Sequence, residues 1–298
     1  MSFSSEVKEE LSKLSNLANK EAVKYELLGY LATNHVMIEN KKLKFSTESE
    51  YNINRFGKLL NNLQFTKYEI QIIGKTFSIT VLLPELEEIF YQNGQIKLYF
   101  EKLAKQMDKQ EILQKAFIRG SFLGSGSMNS PENSYHLEMT FSQLESAKFV
   151  LKFLENYAIC FKQITKKQGY GIYAKDGEEI SKFLAFIGAN HSVLQFEEVR
   201  VYRDIRNNVN RKVNCETANL NKTVNSAFKQ IEAIKYLEEK EKLDELSEGL
   251  QEIARLRVLH PEASLTELGN MLKKPIGKSG VNHRLKAIEK IVEDLKKC

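Results

Sequence analysis

The chain has 298 residues, 42% hydrophobic and 28% charged, with only 4 Pro and 15 Gly. This fits two folded domains, or three small ones, and excludes collagen-like or low-complexity architectures. The formal net charge is +5, but it is unevenly spread: residues 199–235 and 254–290 each carry eight basic and three acidic side chains, so together they hold +10 and the remainder −5. A basic C-terminal third is the electrostatic footprint of a phosphate-binding surface. No apolar run reaches the roughly 18 residues of a membrane span. The opening MSFSSEVKEELSKL has no apolar signal-peptide core. Cys160, Cys215 and Cys298 are too dispersed for a disulfide framework or zinc ribbon. A cytoplasmic protein is expected.

In chain order, Glu21–Thr33 reads as a helix, followed by short strands at His35–Ile38 and Leu43–Thr47 and a helix over Asn52–Leu63. Thr66–Ile73 and Thr76–Leu83 form a hairpin around Gly74-Lys75. Pro84 then opens a helix, PELEEIFYQ, with Pro at its first position and acids in its first turn. The second half repeats the order. Gln110–Gly124 is helical and Tyr135–Phe141 a strand. Ser142–Tyr157 is a helix that Ser142 and Glu145 open with capping-box spacing. Phe161–Lys167 and Tyr170–Ala174 form a hairpin around Gln168-Gly169, and Gly177–Ile187 is a short helix. Gly29 and Gly120 occupy equivalent places in the two halves. The expectation is an α+β fold: a duplicated α/β domain over 1–195, with repeats of about 1–105 and 106–195, and antiparallel sheets.

Residues 196–213 read as a basic linker that can be helical at Arg200, Arg203 and Arg206, which then share one face for phosphate contacts. Residues 214–298 read as all-helical. Leu220, Val224, Phe228, Ile231 and Ile234 form one apolar stripe, and Leu243, Leu246, Leu250 and Ile253 another, closed by Pro261. Ser264 with Glu267 makes a capping box for SLTELGNML, whose Leu265, Leu268 and Leu272 face inward while Gly269 allows a close approach. The turn KKPIGK follows, and Ser279 is expected to cap a last helix. There Val281, Leu285, Ile288, Val292 and Leu295 form the buried face. Ser279, His283, Lys286 and Lys290 point the other way, with Asn282 beside them. This matches a helix-turn-helix whose second helix enters a major groove. Ser279, Asn282, His283 and Lys286 are the candidate reading residues, flanked by Lys274, Lys278 and Arg284 as phosphate contacts. An ordinary helical hairpin with a solvated outer face would show the same pattern.

Other chemistries find no motif. The five histidines show neither HExxH nor HxxxH spacing, and GxGxxG and GxxxxGK[ST] are both missing, so no cofactor and no metal site are expected.

Three stretches, Arg119–Met139, Arg206–Ile234 and Ser264–Ile291, resemble the WhiA family across nearly the whole chain. The resemblance implies a bacterial protein of sporulation, cell division and chromosome segregation. It also implies an N-terminal part similar to LAGLIDADG homing endonucleases and a C-terminal DNA-binding helix-turn-helix over 214–298. In active LAGLIDADG enzymes each repeat supplies a metal-binding acid at the end of its signature helix. Alignment on Gly29 and Gly120 puts Asn34 and Ser125 at those two positions. Neither is a carboxylate, and two-metal hydrolysis needs carboxylate oxygens. The nearest downstream acids, Glu39 and Glu138, fall in strand-like segments. The expectation is therefore a non-enzymatic, nucleoid-associated regulator or chromosome factor. Its partners would be double-stranded DNA and proteins of the transcription or division machinery, with no membrane. The rivals are a divergent endonuclease and a protein-interaction module tethered to DNA.

Overall fold

The computed structural model describes residues 2–33, 35–39, 41–82, 84–92 and 94–297, without the side chain of Glu39. It divides into two compact units, Met1–Asp204 and Ile205–Cys298.

The first unit opens with α1 (Phe3–Ser12), for which the sequence reading assigned no element. Val7 and Leu11 bury its inner face, and the Ser2 side chain caps it. Then follow α2 (Lys20–Leu31), β1 (Val36–Glu39), β2 (Lys42–Thr47), α3 (Glu50–Asn62), β3 (Tyr68–Ile73) and β4 (Thr76–Leu82). The strands form one antiparallel sheet in the order β1-β2-β4-β3. Ile73 pairs with Thr76, so Gly74-Lys75 is the predicted tight turn, with Gly74 at φ +60°.

The helix predicted from Pro84 does not form. Its residues instead make a small hairpin, β5 (Ile89–Gln92) with β6 (Gln95–Leu98). Gln92 pairs with Gln95 across an Asn-Gly dipeptide, a strong two-residue hairpin signal, and Gly94 takes φ +77°. Aromatic and β-branched Ile89, Phe90 and Tyr91 favour the pleated form over the helix that Pro84 suggests. The helix of this position comes later, as α4 (Phe100–Met107), which buries Leu103 and Met107.

The second repeat runs α5 (Glu111–Ser125), β7 (Ser127–Met128), β8 (Leu137–Phe141), α6 (Leu144–Asn156), β9 (Lys162–Lys166), β10 (Gly169–Ala174) and α7 (Gly177–Ile187). Its sheet order, β7-β8-β10-β9, reproduces the first. Two local expectations shift. Ser142 follows directly on β8, so α6 starts later, after Gln143, with no side-chain cap bond. Lys166 pairs with Gly169, which puts Lys167-Gln168 at the hairpin tip and Gly169 in β10.

The two repeats meet along α2 and α5. A Cβ on Gly120 would stand 1.9 Å from the Glu26 carbonyl oxygen, and one on Gly29 would stand 2.1 Å from that of Phe117. Only glycine permits this backbone-to-backbone approach. One buried ion cluster crosses the joint. Glu26 accepts from Arg55 at 2.7 and 2.9 Å and from Arg119 at 3.2 Å, and Arg119 Nε also donates to the Ile187 carbonyl at 2.8 Å. Burial holds the Arg119 guanidinium below its ordinary pKa, against the opposing pull of Glu26.

Residues 196–213, expected as a linker, lie wholly inside one helix, α8 (Asn190–Glu239), which carries the boundary between the two units. The Glu10 carboxylate of α1 caps its first turn, accepting from the backbone N–H groups of His191 (2.7 Å) and Ser192 (2.9 Å). The second unit adds α9 (Glu248–Leu259), α10 (Leu265–Met271) and α11 (Lys278–Lys297). Its core joins Ile234 and Leu237 from the end of α8 to Ile253, Leu268, Leu272, Val281, Leu285, Ile288 and Val292. Leu220, Val224 and Phe228, expected in the same stripe as Ile234, are instead exposed, because the core begins only one turn further along α8.

Candidate nucleic-acid interface

The sequence from Ser264 builds a helix, a turn and a second helix. The Ser264 N–H donates to Glu267 Oε2 at 2.7 Å, and the Glu267 N–H donates to Ser264 Oγ at 3.3 Å, completing the capping box. The bond from the Ser264 N–H also holds the Glu267 carboxyl below the usual carboxylate range. The turn folds back on the first helix: Ile276 N–H donates to the Gly269 carbonyl at 3.2 Å, and a Cβ on Gly269 would meet the Ile276 oxygen at 2.2 Å. Gly269 therefore permits a turn longer than usual without separating α10 from α11.

Helix α11 starts one residue before the predicted cap. The Gly277 carbonyl accepts from the Val281 N–H at 3.2 Å, so Gly277 stands at the cap position and Ser279 lies in the first turn. Val281, Leu285, Ile288 and Val292 are buried. Ser279, His283, Lys286 and Lys290 are exposed on the other side, Asn282 is half-buried beside them, and Lys274 and Lys278 are exposed at the helix start. These residues thus share one solvent-facing end of the motif. A short donor and acceptor set at the first turns of an amphipathic helix, flanked by lysines, is what base-edge reading in a major groove requires. Arg284 departs from its expected role as a phosphate contact. It is half-buried, and its Nη1 donates to the Gly249 carbonyl of α9 at 3.3 Å.

The three arginines of α8 also separate. Arg200 pairs with Glu197 at 2.9 Å. Arg203 lies over the Tyr135 ring at 4.5 Å and donates to the Pro131 carbonyl at 2.5 Å. Both are held by the protein, and of the three only Arg206 is fully exposed. Sequence spacing could not show this, because Pro131 and Tyr135 are about seventy residues away. Beyond Arg206, the exposed Arg211, Lys222 and Lys229 fall on one line of the helix at 100° per residue, an alignment visible in the sequence that the grouping of three arginines missed.

In the first unit a cavity of about 820 Å³ opens at the end of α5, lined also by residues of α1, the end of β2 and the start of α3. Ser125 is buried there. Its Oγ donates to the Ser121 carbonyl at 3.4 Å and accepts from the Thr140 N–H at 3.1 Å, tying the end of α5 to β8. Asn34 lies outside the described residues. Glu138 also lines the cavity, but Lys166 Nζ sits 2.6 Å from its carboxylate and His136 at 3.8 Å. Lys8 of α1 also lines the cavity, and burial pushes its ammonium pKa down to about 8. Burial, then the charge of Lys8, lowers His35 as well. The cavity thus offers hydroxyls, with Ser125 rather than a carboxylate at the end of α5, and of its lining glutamates Glu9, Glu48, Glu50 and Glu138, Glu9 is held by Lys13 at 2.6 Å and Glu138 by Lys166. Among the described residues, no group of three or more His, Cys, Asp or Glu could hold a metal ion, and no helix is long and apolar enough to cross a membrane.

Comparison with known proteins follows the same division. A family model described as the WhiA LAGLIDADG-like domain matches residues 114–206, and one described as the WhiA C-terminal HTH domain matches residues 209–292. A probable cell division protein WhiA from Clostridium novyi is 39% identical over 100% of this chain and 99% of its own length. One from Thermoanaerobacter sp. is 40% identical over 99% of this chain and 98% of its own. The crystal structure of full-length DUF199/WhiA from Thermatoga maritima is 29% identical, covers 99% of both chains and superposes with a TM-score of 0.60.

Proposed function

The chain belongs to the WhiA family, and on that premise we propose that it is a non-catalytic DNA-binding protein acting in cell division and chromosome segregation as a transcriptional regulator or chromosome-associated factor. The observation that carries this reading is α11. Its polar, lysine-flanked face is exposed, its opposite face is buried, and the motif that presents it is a built helix-turn-helix. The relatives are probable cell division proteins, and this supplies the cellular process. Nucleoid association in the cytoplasm follows from duplex binding. In the first unit Ser125 stands at the end of α5 in place of a carboxylate, and Glu9 and Glu138 of the same cavity are each paired with a lysine, which supports a role in binding rather than hydrolysis.

The experiment selects a preferred duplex from a random pool and titrates variants on it and on a scrambled duplex. Asn282→Ala and His283→Ala are expected to cost about 1–3 kcal/mol on the preferred duplex for each base contact, and much less on the scrambled one. Leu285→Ala is the folding control and loses about 2–5 kcal/mol of stability, because Leu285 is buried. Arg206→Ala lowers the salt slope by up to roughly 0.9, whereas Arg200→Ala and Arg203→Ala, held by the protein, leave it nearly unchanged. Equal losses on both duplexes for Asn282→Ala and His283→Ala would remove α11 as the reading head. The same preparations with Mg²⁺ or Mn²⁺ should leave DNA uncut. Cleavage that disappears in Glu138→Gln would replace this reading with an active endonuclease.

A further inference from the structure

Every residue of α8 from Asp204 to Ser226 is exposed. A helix without tertiary contacts must rest on intrinsic propensity, and this one is poorly supplied. Between Ile205 and Phe228 it holds seven asparagines, three valines and two threonines, all weak helix formers. The segment nevertheless carries an ordered apolar stripe. Ile205, Val209, Val213, Leu220, Val224 and Phe228 are each 52–63% exposed. At 100° per residue they lie on one side of the helix, and Arg211, Lys222 and Lys229 lie on the other. A stripe of this length on a weak helix points to a partner that completes it.

The spacing of the stripe says which partner. Within the second unit, which begins at Ile205, its residues are separated by four, four, seven, four and four positions, and this series reads the same in both directions about a centre between Glu216 and Thr217; Val201, exposed on the same side four residues earlier, belongs to the first unit. Two identical helices laid antiparallel on that centre place Ile205 against Phe228, Val209 against Val224 and Val213 against Leu220, with every pair made twice. Glu216 and Thr217 meet at the axis, so the two glutamates are offset rather than opposed. The same register leaves Asp204, Arg211, Lys222 and Lys229 together on the outer, solvated side. A two-fold contact needs a surface that is complementary to itself, and this symmetric series supplies one. An unrelated helix would gain nothing from the symmetry. We propose that the α8 stripe is a dimerisation surface that pairs with a second copy of this chain in antiparallel register about Glu216-Thr217. The inference stands on α8 alone and holds whether or not α11 reads DNA. Where it does, the dimer carries two reading heads, which favours DNA with paired half-sites.

The test uses the full chain without DNA. Sedimentation equilibrium across a concentration series should show a monomer–dimer equilibrium. Leu220→Asp and Val213→Asp, at exposed positions whose change leaves the fold intact by circular dichroism, should raise the dissociation constant by roughly 100-fold or more. Register is read by cross-linking in a background with Cys160, Cys215 and Cys298 replaced by Ser. Val209→Cys mixed with Val224→Cys should give a cross-linked dimer, and either variant alone should give little. A chain that stays monomeric at all concentrations overturns the proposal and leaves the stripe to a partner of different sequence. A dimer that survives both Asp variants, or self-cross-linking by each cysteine variant alone, overturns the register.

Discussion

The α2–α5 joint and the exposed run of α8 are both helical stretches with a regular apolar pattern, yet they solve opposite problems. In the joint, Gly29 and Gly120 bring two backbones into contact, and Glu26 satisfies Arg55 and Arg119 out of reach of water. Each helix there is stabilised by the other repeat of the same chain. In α8, Val209, Val213 and Leu220 meet solvent, and the helix between Asp204 and Ser226 has only its own hydrogen bonds. Helical periodicity is the same signal in both places. What differs is where the covering surface comes from, and that decides how each region responds to substitution.

The strongest challenge to this contrast is a single methyl group. Gly120→Ala places a Cβ 1.9 Å from the Glu26 carbonyl, and because that atom belongs to the backbone, the helices must separate. The expected loss is on the order of 5 kcal/mol, at the exceptional end for one substitution, and thermal melts should show little folded first unit. A melt close to that of the parent chain would mean that the joint is looser than its geometry.

Glu26→Gln removes charge rather than space. Arg55 and Arg119 would then be two buried guanidiniums without a counter-ion, and the expected cost is about 3–5 kcal/mol in denaturant unfolding. If the loss is below about 1 kcal/mol, water reaches the cluster and the joint is not dry.

Much of this contrast could be read before the fold was known. The duplication was visible because glycine at matching places in two halves marks a close helix crossing, and alternation with turn residues marked most strands. The helix-turn-helix was visible from Ser264, Glu267 and Gly269, whose local chemistry acts within a few residues. Other features were hidden for physical reasons. Ile89–Leu98 became a hairpin although Pro84 with its following acids looks like a helix start; the Asn-Gly turn outweighs it. The Leu220, Val224 and Phe228 stripe was apolar as expected, but periodicity shows that a face is apolar and not what covers it. Arg203 and Arg284 looked like phosphate contacts until folding brought the Pro131 and Gly249 carbonyls to them. The cavity depends on α1, whose Lys8 reaches a place that no spacing argument connects to Ser125.

Lys8 sharpens the comparison at the open end of the joint. It enters no ion pair among the described residues, and burial lowers its pKa to about 8. A lowered folded pKa means that the unfolded chain binds the proton more tightly. The penalty is therefore complete below about pH 8 and fades as pH rises toward the ordinary lysine value. Lys8→Met should stabilise the chain at pH 7 by on the order of 1 kcal/mol, allowing for partial solvent screening. That advantage should shrink between pH 8 and pH 10 in paired thermal melts. A variant that is less stable at pH 7 would show that the ammonium has a favourable partner in solution.

The smallest effect has the opposite sign to the first. In α8, Asn214 and Asn225 are exposed on the side away from the apolar stripe. With no packing to override it, intrinsic propensity should decide stability there, and alanine is the better helix former. Asn214→Ala and Asn225→Ala should each strengthen the local helix by a few tenths of a kcal/mol, up to about 0.7. Global melts would barely register this, because the change acts on a segment that opens on its own. Amide hydrogen exchange over residues 205–226 should register it as slower exchange confined to that stretch, with the rates in α2 and α5 unchanged. The same glycine-to-alanine and asparagine-to-alanine logic then gives loss in the joint and gain in α8. Should the two α8 variants instead speed exchange, those asparagine side chains must make contacts that hold the helix, and α8 would not be the unsupported partner-seeking element that its exposure indicates.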